Sequence, residues 1–589
     1  MSVLLAATAG EAQQASQCHT AEDIVQGPAP EKLPAPVKME GIGNSSMTIT
    51  AANDEAKAWF TQGLNLLHDF WDYESAKAFE QAVRADPKCA MCYWGLYQAE
   101  SFRSTDTPWA KPALDRAMAL KKHASRPEQL YIQSAAIAYK DSAEETKKEQ
   151  QKKPGAAKKS PESSKHVDSE ATKLLRRVVA IEPNDVQAKI FLAESVRDGF
   201  NTKGEPRAGT AESDGILAGI LKEHPEDTAA NHYWIHAMEP GNHPERAIES
   251  AQKLGPLTPA SGHMVHMPGH IFYRTGDYER ARESFLRSMR VDEDYMRMQN
   301  VSVADDWNYV HNLMYLIADL MEAGRLRDAM EISQKLTTAR GEVGGTLYRQ
   351  TPRDGMTRLS VALPVMLRAG AWQSAAQELE RSSPAPELKN LAELRAAMLD
   401  YTQGMAALEH GDAKGASEKS DALEARIKSV PAATDEMPGM SMSKDAMARP
   451  VHSYLDVASQ ELRASVLLTQ GRGVESDAMF KRAAEAEKEL GYREPPFYIR
   501  PVEETRGDVL LRAKRFDEAR SAFTEALRQR PESGFALYGI AQADEGAGRS
   551  AETTEDYAHL LQAWAKADAD LPQLHAAHAW MERQAVEGE

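Results

Sequence analysis

The feature that most constrains this chain of 589 residues is a pattern that returns at a 34-residue spacing. With Pro87 set at position 32 of such a unit, Trp59, Gly63, Phe79 and Ala82 fall on positions 4, 8, 24 and 27, and Ser75 takes position 20. With Pro531 at position 32, Gly507, Ala519, Phe523 and Ala526 fall on 8, 20, 24 and 27. A third unit has Gly269, Ala281, Phe285 and Ser288 in the same places, and weaker units carry Ala171 with Pro183, Gly324 with Ala329, and Gly539 with Ala551 and Ala558. Small residues at fixed places let the two helices of a hairpin approach closely. Large ones fill the gap between hairpins, and proline closes the second helix. No sustained period-two alternation bounded by turns is present, so strands are not expected.

These are the marks of tetratricopeptide-type (TPR) repeats, and the predicted fold class is all-α: a helix-turn-helix solenoid (superhelix) of TPR type. Residues 1–50 read as a leader, with a possible signal-peptide remnant followed by an extended Pro/Gly-rich part. Residues 51–140 are N-terminal TPR helices. Residues 141–166 are a Lys-rich segment nearly free of large apolar side chains, expected as a disordered linker or a solvated helix extension. A central array with a histidine cluster follows at 167–430, then a Met-rich linker at 431–450 and C-terminal repeats at 451–589.

Composition narrows the partners. The net charge is −18, which argues against a nucleic-acid partner and favours a protein or peptide, a basic one by charge complementarity. No run of eighteen apolar residues occurs, so no membrane span is expected. Cys89 and Cys92 form a C-x-x-C followed by Tyr93 rather than His, which excludes c-type haem attachment. The pair reads as small apolar residues packed in a helix, with a disulfide from one of them to Cys18 as the alternative if the protein is exported. The stretch MSVLLAATAGEAQQA has an apolar core and small residues near Ala15 but no basic region before them. The expected location is periplasmic or secreted, otherwise cytoplasmic.

The candidate chemistry lies between His232 and His270. Six of the 17 histidines fall there: His232, His236, His243, His263, His266 and His270. An even spread would place about one in that window. His232 and His236 are spaced i, i+4, as are His266 and His270, so each pair shares a helix face. The pairs lie about one repeat apart and are expected to face each other, as paired ligands do in helical bundles. Pro268 suggests a helix that starts at Met267 or Pro268 and leaves His266 near its N-cap. His243 and His263 are expected in loops. The predicted metal ligands are His232, His236, His266 and His270, with Glu239 and His263 as further candidates, and the metal copper or zinc. The plain alternative is that the histidines pack and find hydrogen-bond partners without a metal. Met437, Met440, Met442 and Met447 add soft ligands suited to copper(I), or are only part of a flexible linker. Asn308 and His311 share a face, Asp305 or Asp306 is the expected N-cap of their helix, and they are grouped with Tyr233 and Trp234 as residues lining a partner groove. No G-x-S-x-G, P-loop, G-x-G-x-x-G or H-E-x-x-H is present.

Several blocks together resemble a family. They are Trp59 to Leu64, the DPKCAMCYWG block from Asp86 to Gly95, the HYWIHAME block from His232 to Glu239, the HMPGH block from His266 to His270, and Glu494 to Pro496. In these the chain, from about residue 50 to 580, is similar to large bacterial TPR proteins that are mostly predicted to be exported. The resemblance implies a TPR fold and an envelope location, and no reaction. The chain departs from it at Met314, where a second histidine after His311 is expected, which weakens a third pair in any metal site. The first functional expectation is a TPR scaffold that binds a peptide or protein partner in the cell envelope, without catalysis. The alternative is a copper- or zinc-dependent enzyme or metal-handling protein that uses the histidine cluster.

Overall fold

The structure, a computed structural model, describes residues 28–103, 108–150, 166–201, 204–303, 306–339, 352–430 and 449–587. Among these, every regular element is a helix, and the β-type pairing present is one isolated bridge between Phe200 and Pro206. The expected all-α class is thereby observed. The described residues form two compact units. The first holds those of Met1–Phe272 and Glu283–Tyr309, and the second those of Tyr273–Arg282, Val310–Glu436 and Ser441–Glu589.

The first unit is a run of antiparallel hairpins: α1 (Asp54–His68), α2 (Asp72–Ala85), α3 (Ala90–Arg103), α4 (Ala110–Leu120), α5 (Arg126–Gln150), α6 (Glu170–Ile181), α7 (Val186–Val196), α8 (Ala208–Glu223), α9 (Thr228–Met238), α10 (Ile248–Leu257) and α11 (Gly262–Arg274), with most of α12 (Tyr278–Gln299) and the start of α13 (Trp307–Glu322). The starts are set by side chains. Asn53 accepts from the Ala56 amide at the head of α1, Asp185 caps α7, and Asp227 caps α9.

One lock recurs. The Phe79 ring on α2 lies so close to Gly63 on α1 and Gly95 on α3 that a Cβ at those glycines would stand 2.9 and 2.2 Å from it. A single aromatic thus holds three successive helices, and only glycine admits it. In the second unit Phe523 sits between Gly507 and Gly539 in the same way, at 2.6 and 2.4 Å. Phe285 and Gly269 repeat it at 2.4 Å. In each case glycine and ring are sixteen residues apart, which is one helix plus its turn. A fully buried Phe contributes about 1.5–3 kcal/mol in these cores.

Three expectations are resolved. Residues 141–150 take the second of the two expected forms, a helix extension that continues α5 to Gln150, while 151–165 lie outside the described residues. The described part of the leader is extended but tied down. Val37 O accepts from Gln62, Ser45 exchanges two bonds with Asn65, Asn44 bonds to Thr228, and Gly41 O accepts from Ala260. Cys89 and Cys92 are buried and bonded to each other as a disulfide, rather than packed as free thiols. The signal-peptide reading, Cys18, Asp305 and the Met-rich segment lie outside the described residues.

The second unit continues with the rest of α13, Leu326–Ala339, Pro352–Leu359, Leu363–Ala369, Trp372–Arg381, Lys389–Glu409, Ala413–Ser429, Arg449–Thr469, Gly473–Glu489, Val502–Arg512, Phe516–Gln529, Gly534–Gly546, Ser550–Ala563 and Pro572–Glu587. Its interior holds a charged hub. The guanidinium of Arg368, wholly buried, donates to Glu322, Glu504 and Ser533 and lies 4.3 Å from the Phe535 ring centre.

Candidate functional site: a buried histidine cluster

Every residue of α9 from Thr228 to Met238 is buried, because this helix is covered on all sides. α11 runs parallel to it. His232 meets His263 and Glu239 meets His270, both at an offset of 31 residues. The expectation of one repeat length would instead have set His232 against His266 and His236 against His270. The three-residue difference moves the partners almost one helical turn, so His263 takes the place expected for His266. His263 is not in a loop. α11 begins at Gly262 and runs through Pro268, which puts His263, His266 and His270 all inside the helix, and all three are buried.

Gly262 is required at that start, since a Cβ there would land 1.6 Å from Asp292 Oδ1 on α12. Asp292 in turn accepts from the Asn308 amide at 2.7 Å, and Asn308 Oδ1 lies 3.2 Å from His263 Nδ1. Asp306 acts as the cap of α13, accepting from the amides of Asn308 and Tyr309.

The inner geometry is compact. His232 Nε2 is 3.1 Å from His263 Nε2, and His232 Nδ1 is 2.7 Å from the carbonyl of His68. His236 follows one turn after His232, with ring centres 4.8 Å apart. One ring nitrogen from each of His232, His236 and His263 lies within 4.8 Å of the other two. Neither nitrogen of His236 meets a hydrogen-bond partner among the described residues, although the ring is 1% exposed. Such a group costs about 1–3 kcal/mol when left unsatisfied. Beside the triad, His270 Nδ1 bonds to Glu239 Oε1, and His270 Nε2 is 2.5 Å from His266 Nε2.

Phe70 closes one side. Its ring centre is 4.7 Å from His232, 5.4 Å from His236 and 5.4 Å from His263. To reach them its backbone adopts φ 56°, in the left-handed region that costs a bulky residue roughly 1–2 kcal/mol. Burial dominates the electrostatics. It lowers His232 to about 3 and holds His236 well below the usual histidine value, with neighbouring histidines adding to the effect on His236. His68 is likewise lowered to about 4 by burial, against its bond to Gln187. These rings are therefore neutral near pH 7 and offer lone pairs.

The remaining expected residues fall elsewhere. His243 is in a loop, exposed, and paired with Glu245 at 3.0 Å. Tyr233, Trp234, Asn308 and His311 are all buried, with relative exposures of 5–6%, so they offer a partner almost no surface. The Tyr233 hydroxyl lies 3.3 Å from His68, and the Trp234 indole donates to the Arg246 carbonyl. His311 lies 4.0 Å from Glu494. Sequence reasoning missed Phe70 and His68. Their one signal is the run HDFWDY, where an aromatic residue stands two places after the end of α1.

The tetratricopeptide-repeat family profile matches residues 264–295, which cover most of α11 and most of α12. No curated protein matches the sequence at a significant level. Among solved structures, yeast Tom70 is similar over 91% of this chain and 97% of its own, at 11% identity and a TM-score of 0.27. Human IFIT1, as a monomeric mutant with Gppp-AAAA, is similar over 84% and 95%, at 11% identity and a TM-score of 0.33. The Cut9–Hcn1 assembly of the APC/C is similar over 78% and 84%, at 11% identity and 0.23. At such scores these likenesses carry nothing about function. The segment 264–295 matches the tetratricopeptide repeat.

Proposed function

We propose that the chain is a repeat scaffold for a protein or peptide partner in the cell envelope. The observation that carries this reading is the recurrence of one hairpin lock, Gly63–Phe79–Gly95 and Gly507–Phe523–Gly539, in both units. Repeats built this way offer extended surfaces and little catalytic machinery. The step from repeat fold to partner binding is an analogy at the level of the fold. A net charge of −18 favours a basic partner over an anionic one. The Cys89–Cys92 disulfide supports an oxidising compartment, where such bonds persist. The partner surface excludes Tyr233, Trp234, Asn308 and His311, which are buried.

The test is photo-crosslinking in the cells that make the protein, from probes placed at exposed helix positions, combined with fractionation and thiol trapping. The reading expects one recurrent basic protein cross-linked from several sites and an oxidised cysteine pair in the envelope fraction. A chain found reduced in the cytoplasm would remove the location. Absence of any recurrent cross-linked protein would remove the scaffold.

A further inference from the structure

Hydrogen bonds on the outer edges of the histidine rings decide what faces inward. The His68 carbonyl can only accept, so the His232 Nδ1 beside it, at 2.7 Å, carries the proton, and Nε2 carries the lone pair. On His263, Nδ1 lies 3.2 Å from Asn308 Oδ1. The Asn308 amide nitrogen is committed to Asp292 Oδ2 at 2.7 Å and Ser288 Oγ at 3.3 Å, which turns the amide oxygen toward His263. His263 therefore also donates through Nδ1 and presents a lone pair at Nε2. This is how outer partners orient metal-ligating histidines.

The two lone-pair nitrogens face each other at 3.1 Å. Neutral rings in this tautomer have no proton to share, so the contact is repulsive until a cation stands near both. Two nitrogens bound to one tetrahedral ion at about 2.0–2.1 Å stand about 3.3 Å apart, close to what is seen. His236 brings a third imidazole to the same place, with neither nitrogen hydrogen-bonded.

We infer that His232, His236 and His263 bind one transition-metal ion through their ring nitrogens, either zinc(II) or copper. The site differs from the facing-pair arrangement that spacing alone suggests, because His263 replaces His266 and His270. Glu239 Oε2 stands 3.8 Å from His236 Nδ1 and places negative charge beside the cation. Three protein ligands leave a fourth position for water or another donor. The strained backbone of Phe70 holds an apolar ring over the three imidazoles and keeps bulk water from that side.

The experiment uses the full chain, made without an affinity tag and stripped with chelator. It is titrated separately with zinc(II) and with copper(I), each against a chromophoric competitor. The bound form is then examined by X-ray absorption. The expected result is one equivalent of one of these ions per chain, with three imidazole ligands at about 2.0 Å. His236→Gln and His263→Gln each weaken binding more than about tenfold. Asn308→Leu, which removes the outer partner of His263, weakens it about 10–100-fold. His243→Gln, on the exposed loop, leaves it unchanged. Should the cluster variants fail to fold, the wild-type absorption spectrum decides, and fewer than three imidazoles overturns the site. Uptake of neither ion overturns it, and so does uptake that survives the cluster variants or is lost in His243→Gln.

Discussion

In the second unit the buried guanidinium of Arg368 makes five hydrogen bonds of 2.6–3.0 Å, to both oxygens of Glu322, both of Glu504 and the hydroxyl of Ser533. In the first unit His236 is just as buried and makes none among the described residues. Burial alone would raise the pKa of Glu322, yet Arg368 holds it below the usual carboxylate value. Nothing comparable acts on His236, where burial and the neighbouring histidines push in the same direction. A buried polar group that is fully paired is explained by the fold around it. One that is unpaired, and shares its pocket with other inward-facing donors, points to something that binds there.

The largest effect expected from this contrast is at the paired hub. Arg368→Met leaves Glu322 and Glu504 buried without their cation and should cost about 3–5 kcal/mol in a denaturant titration. A loss under about 1 kcal/mol would mean that the hub is not the structural element described here.

A smaller effect is expected from pH. Glu461 is raised to about 7, chiefly by burial, with the hydroxyls of Thr505, Tyr498 and Tyr401 and the charge of Arg500 pulling it back. Its folded value lies above the unfolded one, so the folded state holds the proton more tightly. That contribution is full below the unfolded value of about 4.5 and is lost as pH rises through about 7. Wild type should lose up to about 3 kcal/mol across that window from this group, and Glu461→Gln should flatten the loss. Parallel stability–pH curves for the two proteins would show that Glu461 does not set the slope.

The smallest effect is expected at the unpaired ring. In metal-free protein, His236→Leu removes an unsatisfied polar group for an apolar one of similar size and should change stability by less than about 1 kcal/mol, in either direction. A loss as large as that of Arg368→Met would make His236 a structural residue and erase the distinction between the two clusters.

Much of this was legible from residue types and spacing. The glycine–phenylalanine locks at Gly63, Gly269 and Gly507 lie where the 34-residue pattern puts them, because close helix approach demands glycine opposite a large ring. The crowding of histidines between His232 and His270 was equally visible. Which of them meet was not. The offset between α9 and α11 is 31 residues rather than 34, since it depends on how the 3-10 turn Pro244–Ala247 and the short α10 are accommodated. Phe70 and His68 were invisible for a related reason. They stand more than 160 residues before the cluster, and no local period points to a contact at that range.

The sequence by itself therefore determined the helical hairpins, their locks and the concentration of imidazoles, because each depends on side-chain size and short-range period. Tertiary structure alone decided that His263 rather than His266 joins His232 and His236, that Asn308 and the His68 carbonyl turn their lone pairs inward, and that Tyr233, Trp234, Asn308 and His311 are buried. Those outcomes depend on helix register and on contacts between distant segments. A shift of three residues exchanges one buried neighbour for another without changing any local pattern.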